Sequence, residues 1–540
     1  MLMYVSQSAE RYFSLSGRAL EYVTETNWLK RTQYSDEDTR MHKIKKLALA
    51  MTVSAAAVSA VAKPVALPEP VTGEQPNVVI IYTDDMGWGD VGYHGVEDIR
   101  TPNIDKLAAN GVHFPQAYVS ASVCGPSRSG MLTGVYQQRM GVYGNFKENT
   151  IPRDQPLVME IMKDQGYTTG VIGKWHLGDG TGKPNDRGAD FFYGFLGGTH
   201  DYFRSQTEDD GRVMFAPIFR NDQVESPIQE QDGYLTDMFT DEAVSFIKQA
   251  TDKDEPFFLY LAHLAVHHPW QVPDSYLKRL EDLPVKEGSA GDERRVFAGM
   301  TLALDDGIGA VMDTLKEQGV YDNTLVFFMS DNGTPAGQGF ERPRRKQRGE
   351  TTMSSPGPFN GFKGTTYEGG VRVPFVMHWP GNVPEGLKYE NKVSSLDIVP
   401  TIASLFKGTN TGQFPFDGTN LLPYLRGEVA EGAKPHETLY WRRDEDYAIR
   451  DGDWKLTQNR NHGPQTIRLF DMANDPGEWK DLAAEKPEKA QELKDKFDAW
   501  EATLPINQFS PKPTNRNFDY NKGNRVDVQD NNKAVLSRAK

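Results

Sequence analysis

The sequence has a single cysteine, Cys124, among 540 residues, so no disulfide forms within the chain. It also lacks any apolar run of the roughly 18 to 20 residues that a membrane-spanning helix needs. Positive charge is in deficit: 60 Lys and Arg face 75 Asp and Glu, a formal net charge of -15. That balance argues against nucleic acid as a partner, because nothing offsets phosphate repulsion. An acidic chain still takes an anion where positive charge is gathered in one cleft. Core material is present in ordinary amount, with 38% hydrophobic and 11% aromatic residues, enough at this length for a large domain and a smaller one.

A basic stretch from Met41 to Lys46 precedes a small apolar segment, Leu47 to Val61, and Ala60-Val61-Ala62 offers a small-residue cleavage site before Lys63. This is the layout of a secretory signal peptide. It makes 1–40 a mis-assigned extension and 41–62 a removed signal, with the protein exported, periplasmic or secreted. The mature chain then has 52 Lys and Arg against 69 Asp and Glu.

Asn77-Val78-Val79-Ile80-Ile81-Tyr82 is a continuous β-rich run, the pattern of a strand buried on both faces. Thr101 reads as the N-cap, and Pro102 as the first residue, of a helix ended by Gly111. Further helices are expected over 156–163, 236–248 and 305–316. Each precedes an apolar run: Tyr167 to Ile172, Pro256 to Leu261 and Thr324 to Met329. Strands alternating with helices specify an α/β domain with a mostly parallel sheet covered on both faces. Past about residue 425 the pattern becomes a hairpin turning near Asp451-Gly452, a strand from Thr466 to Phe470 and a charged helix from Glu485 to Leu504. The expected organisation is a catalytic domain over 74–425, a smaller α+β subdomain over 426–504 and a polar tail over 505–540.

Polar residues cluster just past the expected strands. Asp84-Asp85 follows the first, Lys174 and His176 the second, His267-His268 the third and Asp331-Asn332 the fourth. In open α/β sheets ligands bind outside the carboxyl ends of the strands, so four clusters converge on one rim. Asp84, Asp85, Asp331 and Asn332 are oxygen donors, a set that selects a hard cation over zinc. Adjacent acids at a strand end also repel each other unless a cation lies between them.

Cys124-Gly125-Pro126-Ser127-Arg128 opens a short helix running on through Leu132-Thr133-Gly134. Its N-terminus, with free N–H groups and a positive dipole end, suits an anion. Here the sequence resembles the formylglycine-dependent (type I) sulfatases, the arylsulfatase-like family whose signature is Cys-x-Pro-Ser-Arg followed by Leu-Thr-Gly. The resemblance spans 74–485 and includes Thr101 to Asp105, Gly173 to Gly178, Asp331-Asn332-Gly333, Gly361 to Pro374 and Leu469 to Glu478. It departs at Ala265-Val266-His267-His268-Pro269, where the family often has Ala-Pro-His-x-Pro. His267 aligns with the family histidine, with His263 and His268 as neighbouring alternatives.

The resemblance implies an alkaline-phosphatase-like large domain and hydrolysis of a sulfate ester. It further implies that a sulfatase-maturation enzyme oxidises Cys124 to formylglycine, whose hydrate attacks sulfur. By the same resemblance Asp84, Asp85, Asp331, Asn332 and the modified Cys124 hold Ca2+, with Mg2+ the alternative. Arg128 stabilises the deprotonated diol, Asp331 takes its proton and His176 assists collapse of the intermediate. Lys174 and Lys363 neutralise sulfate oxygens, while His267 serves the leaving oxygen. A basic run, Arg342 to Arg348, together with His200, Asp201, Trp270 and Gln271, are candidate contacts for a sulfated polysaccharide, an algal galactan such as carrageenan. The competing readings are a phosphatase or phosphodiesterase of the same broader fold and a non-catalytic sulfated-glycan binding protein.

Overall fold

The computed structural model describes residues 75–145, 151–178, 182–205, 216–225, 233–284, 289–335, 353–459 and 466–505. The expected signal segment and the basic run at 342–348 lie outside them, as does the tail past 505. Among the described residues no helix is long and apolar enough to cross a membrane.

The strands of the large sheet follow the apolar runs. In chain order they are β1 Asn77–Thr83, β2 Val112–His113, β3 Ala117–Tyr118, β4 Thr168–Lys174, β5 Phe191–Phe195, β6 Phe219–Arg220, β7 Gln223–Val224, β8 Phe257–Ala262, β9 Thr324–Ser330, β10 Phe375–His378, β11 Leu387–Lys388 and β12 Val393–Ser394. Ten of them form one sheet in the order β11-β2-β10-β9-β1-β8-β4-β5-β6-β7, while β3 pairs with β12 apart from it. The central run β9-β1-β8-β4-β5 is parallel throughout, and β10 and β6 flank it antiparallel. All seven residues of β1 are buried. Val78, Ile80 and Tyr82 enter one core and Val79 and Ile81 the other. An unbroken apolar run is what a strand with a core on each face requires.

Helices cover both faces: α1 Pro102–Ala109, α2 Cys124–Thr133, α3 Val158–Asp164, α4 Leu235–Thr251 and α5 Ser289–Glu317. The last is much longer than its expected 305–316. Its first half carries Gly299 among the buried Phe297, Ala298 and Met300, and a Cβ at Gly307 would lie 2.3 Å from Thr240 Oγ1 of α4. Glycine weakens the helical signal in sequence, yet here it lets two helices approach closely.

Thr101 occupies the N-cap of α1 without making the capping bond. Its hydroxyl instead accepts from the Gly92 N–H at 2.7 Å and donates to Asp105 at 3.0 Å. The N–H groups of Asn103 and Ile104 donate to the carboxylate of Asp305 on α5, at 3.1 and 2.8 Å. Burial pushes Asp305 up to about 6, above the usual ~3.9 of an unfolded chain. The folded state therefore binds the extra proton between those values, and this group's contribution to stability is lost as pH rises from about 4 to about 6. Urea unfolding of Asp305→Asn across that range is expected to show a flatter fall in stability than the parent.

Past residue 437 the chain forms an antiparallel meander, β13 Thr438–Arg443, β14 Asp446–Asp451, β15 Trp454–Gln458 and β16 Ile467–Asp471. Asp451 pairs with Trp454, so Gly452, at a φ of 55°, and Asp453 form the two-residue turn. Helix α6, Pro487–Glu501, packs Leu493, Phe497 and Trp500 against Tyr447, Ile449, Leu456 and Leu469. On the other side of the meander Leu439, Trp441 and Ala448 join the core beneath the large sheet.

Candidate active site

Register places four strand ends side by side. Thr83 of β1 lies opposite Ser330 of β9, Tyr82 opposite Ala262 of β8, and Ala262 opposite Gly173 of β4. The residues immediately beyond are Asp84-Asp85, Asp331-Asn332, the turn to His267, and His176. The structure thus brings the four expected clusters to one rim. Asp85 and His176 adopt left-handed backbone at φ 63° and 57°, a region an Asp tolerates better than most residues. A Cβ at Gly198 would sit 2.7 Å from the His176 ring, so glycine there makes room for it.

Helix α2 enters from below the rim, every residue buried. Cys124 and Arg128 are four apart and share a helix face. Cys124 Sγ approaches Asp84 Oδ1 at 3.5 Å. Arg128 donates through Nε to Asp331 Oδ2 at 3.0 Å, with Nη2 in ion-pair contact with the same oxygen at 2.9 Å, and donates through Nη1 to the Lys174 carbonyl and Tyr260 hydroxyl. The expected fan of free N–H groups at this helix start needs correction. Gly125 N–H donates to Asn145 Oδ1 at 3.0 Å, Ser127 N–H to the Val123 carbonyl, and Pro126 has none.

Three cations face three carboxylates in this pocket. Lys174 Nζ pairs with Asp84 Oδ2, Lys363 Nζ with Asp85 Oδ1 at 2.5 Å, and Arg128 with Asp331. Burial opposes ionisation of Asp84, yet Lys174, His267, Lys363 and Arg128 together hold it well below the usual carboxylate range. Asp331 responds oppositely: burial and the neighbouring Asp84 push it up to about 7. Burial lowers both histidines, His267 to about 4 and His176 well below its ordinary value, with Lys174 and Arg128 adding to the second.

The donor set could hold a metal ion. Asp84, Asp85, Cys124 and His267 each present a ligand atom within 4.8 Å of the others. Asn332 donates its amide N–H to Asp85 Oδ1 at 2.7 Å, while its Oδ1 is buried with no hydrogen-bond partner. A buried amide oxygen left without a donor is costly and is what a calcium- or magnesium-sized ion would take. Asp331, expected beside them, is differently engaged: Oδ2 meets Arg128 and Oδ1 accepts the Asp85 N–H at 3.3 Å.

Among the histidines, His267 points at the pocket, with Nε2 3.7 Å from Asp85 Oδ2 and Nδ1 2.6 Å from the His268 carbonyl. His263 is fully buried, away from any polar partner. His200 needs correcting as a sugar contact: it is 1% exposed, and its nitrogens face the Asp201 and Ala216 carbonyls at 2.6 and 2.7 Å. Asp201 and Gln271 hydrogen-bond to each other at 3.0 Å, which ties them to loop structure. Sequence reasoning missed Tyr260, which receives Arg128, and Tyr82, whose ring lies 5.4 Å beneath it. Their signal was available in principle: both are inward tyrosines near the carboxyl ends of neighbouring strands. His268, expected at the rim beside His267, is exposed and stacks on it with ring centroids 4.3 Å apart.

Residues 76–409 match the Sulfatase family model, and residues 360–502 match that of the N-sulphoglucosamine sulphohydrolase C-terminal region. Arylsulfatase A of Bos taurus is 32% identical over 484 residues, covering 78% of this chain and 88% of its own. The crystal structure of Ps i-CgsB in complex with k-i-k-neocarrahexaose is similar with a TM-score of 0.69 and 33% identity, over 82% of this chain and 96% of that one. PsFucS1 sulfatase from Pseudoalteromonas sp. is similar at TM-score 0.64 and 25% identity, over 85% and 94%. The large sheet, its helices and the meander are those of an alkaline-phosphatase-like sulfatase. The chain belongs to the sulfatase family and is a sulfuric ester hydrolase.

Proposed function

We propose that this sulfatase removes sulfate from a sulfated polysaccharide, a galactan of the carrageenan type, using formylglycine made from Cys124 and a bound divalent cation. The observation that carries the reaction is the meeting of Cys124 with Asp84, Asp85, Lys174, Lys363 and Arg128 at one set of strand ends. Support for the substrate class is the neocarrahexaose held by a relative of this fold. Export of the mature chain would place the enzyme where such polymers are met.

Burial, with Asp331 and Asp84 beside it, pushes the encoded Cys124 thiol up to about 12, and the proposed reaction uses the formylglycine hydrate rather than a thiolate. A hydrated formylglycine would supply a hydroxyl nucleophile, and a divalent cation, which Asp84, Asp85, Asp331 and Asn332 would hold, would lower that hydroxyl's pKa. The remaining work falls to this chain's own side chains. Lys174 and Lys363 neutralise sulfate oxygens where negative charge accumulates. Arg128 fixes the orientation of Asp331, which takes the proton of the nucleophile. His267 donates a proton to the departing sugar oxygen. Sulfate brings negative charge beside it, which favours the protonated imidazole despite burial.

That role predicts a dependence on the leaving group. His267→Ala is expected to lower kcat/KM on carrageenan oligosaccharides by roughly 10²- to 10⁴-fold, because an alcohol leaves poorly without a proton. On nitrophenyl sulfate, whose phenol leaves unaided, the loss is expected to stay under about 10-fold. Released sulfate measured by ion chromatography decides the point, and equal losses on both substrates would remove His267 from proton donation. Turnover of the aryl ester with none of any carrageenan would sink the polysaccharide assignment.

A further inference from the structure

The segment carrying Lys363 is gripped from two sides. On the active-site side, Lys363 N–H donates to the Thr334 carbonyl at 2.7 Å and its ammonium reaches Asp85. On the other side alternate residues are fastened to the C-terminal meander. The Gly364 carbonyl accepts from Arg443 of β13. Thr366 Oγ1 shares a 2.7 Å hydrogen bond with Thr457 of β15, and its N–H donates to Asn459 at 2.9 Å. Glu368 Oε1 accepts from Lys455 of β15 at 2.8 Å.

The last of these fastenings is a fully buried ion network. Lys455 lies between Glu368 and Glu478, 2.8 Å from each. Glu478 in turn accepts the Glu368 N–H at 2.7 Å. Arg372 and Arg450 approach Glu368 Oε2 at 3.2 and 3.6 Å, and Tyr118 donates to it at 2.8 Å. Charges this deep stabilise a fold poorly compared with apolar side chains of the same volume; what they fix is geometry. Immediately after Glu368, Gly369 and Gly370 lie against the loop's own carbonyls. A Cβ would come 2.4 Å from Gly361 O at the first and 2.2 Å from Thr365 O at the second. Displacing Glu368 therefore displaces both flanks of Lys363.

We propose that Glu368 and Lys455 are positioning residues for sulfate-ester hydrolysis, through which the C-terminal meander sets the placement of Lys363 over Asp85. The proposal rests on the reading of Lys363 as a sulfate-binding charge. The Lys363 loop falls inside the C-terminal family match, which begins at residue 360.

A double-mutant cycle on the matured full-length enzyme tests it, with nitrophenyl sulfate as substrate and inorganic sulfate as inhibitor. Lys455→Met is expected to lower kcat/KM by about 30-fold in the parent and by less than about 3-fold in a Lys363→Met background, a coupling in the range of contacting networks. Affinity for inorganic sulfate should weaken in parallel, chiefly in the parent. Glu368→Gln, which keeps the side chain's shape, is run through the same cycle in case Lys455→Met does not fold, with thermal unfolding as the check. Equal fold-losses in both backgrounds, with Lys363→Met itself strongly impaired, would overturn the positioning role alone. A Lys363→Met enzyme with unchanged kcat/KM would overturn the sulfate-binding reading and this proposal with it.

Discussion

Cys124→Ala is expected to abolish sulfate release, by on the order of 10⁴- to 10⁶-fold, the scale seen when a covalent nucleophile is removed. The fold should survive the change. Cys124 begins α2 and its thiol makes one long contact, 3.5 Å to Asp84, and alanine is the best helix former. Stability should therefore fall by no more than about 1 kcal/mol, so a dead enzyme with a near-parental unfolding curve separates chemistry from collapse. Mass spectrometry of the peptide containing residue 124 supplies the companion result. Active parent enzyme should yield it about 18 Da lighter than the encoded sequence, the difference made by replacing a thiol with an aldehyde. An unmodified thiol in fully active protein would end the formylglycine assignment.

The second large effect is that of removing the cation. Asp84 and Asp85 are adjacent, fully or almost fully buried, and the Asn332 amide oxygen stands without a donor beside them. Exhaustive chelation is expected to cost roughly 10³-fold in kcat, since the nucleophilic hydroxyl then keeps a high pKa and its developing charge goes unmet. Calcium or magnesium should restore turnover, and the more effective of the two identifies the ion. An ion that binds only the folded state also stabilises it by mass action, about 2.7 kcal/mol at a hundred times its Kd. Thermal unfolding with and without metal therefore gives a readout independent of catalysis. Full activity in protein shown by elemental analysis to be metal-free would dispose of the site.

Much of this was legible in sequence because it is local or periodic. The apolar run at 77–82 announces a strand with two cores, and polar pairs just beyond successive strands locate the rim before any coordinate is known. The Cys124 motif carries its own geometry, since four residues bring Arg128 onto the face of the cysteine. What stayed hidden depends on distant partners. Nothing near Thr101 says that a carboxylate 204 positions later caps α1 in its place. His200 sits in a Gly-rich loop that looks like a site lip, and only the fold shows its ring closed off by two carbonyls. The buried pairing of Glu368 with Lys455 joins segments 87 residues apart, and each alone reads as a surface charge. The first half of α5 stayed hidden for another reason: Gly299 sits there against Val272 and Leu277, and glycine weakens the periodic signal that marks a helix.

The placement of β1 also bears on how the chain is made. Val78 pairs with Phe258, and Asn77 with Thr324, so the earliest apolar strand to leave the ribosome waits for neighbours 180 and 247 positions downstream. At about 5–20 residues per second that interval is roughly 10 to 50 s, during which a sticky, uncharged β-prone segment has no native partner. Synthesis of this protein should therefore lean on chaperones that shield its N-terminal stretch, and fragments truncated before residue 330 should aggregate rather than fold.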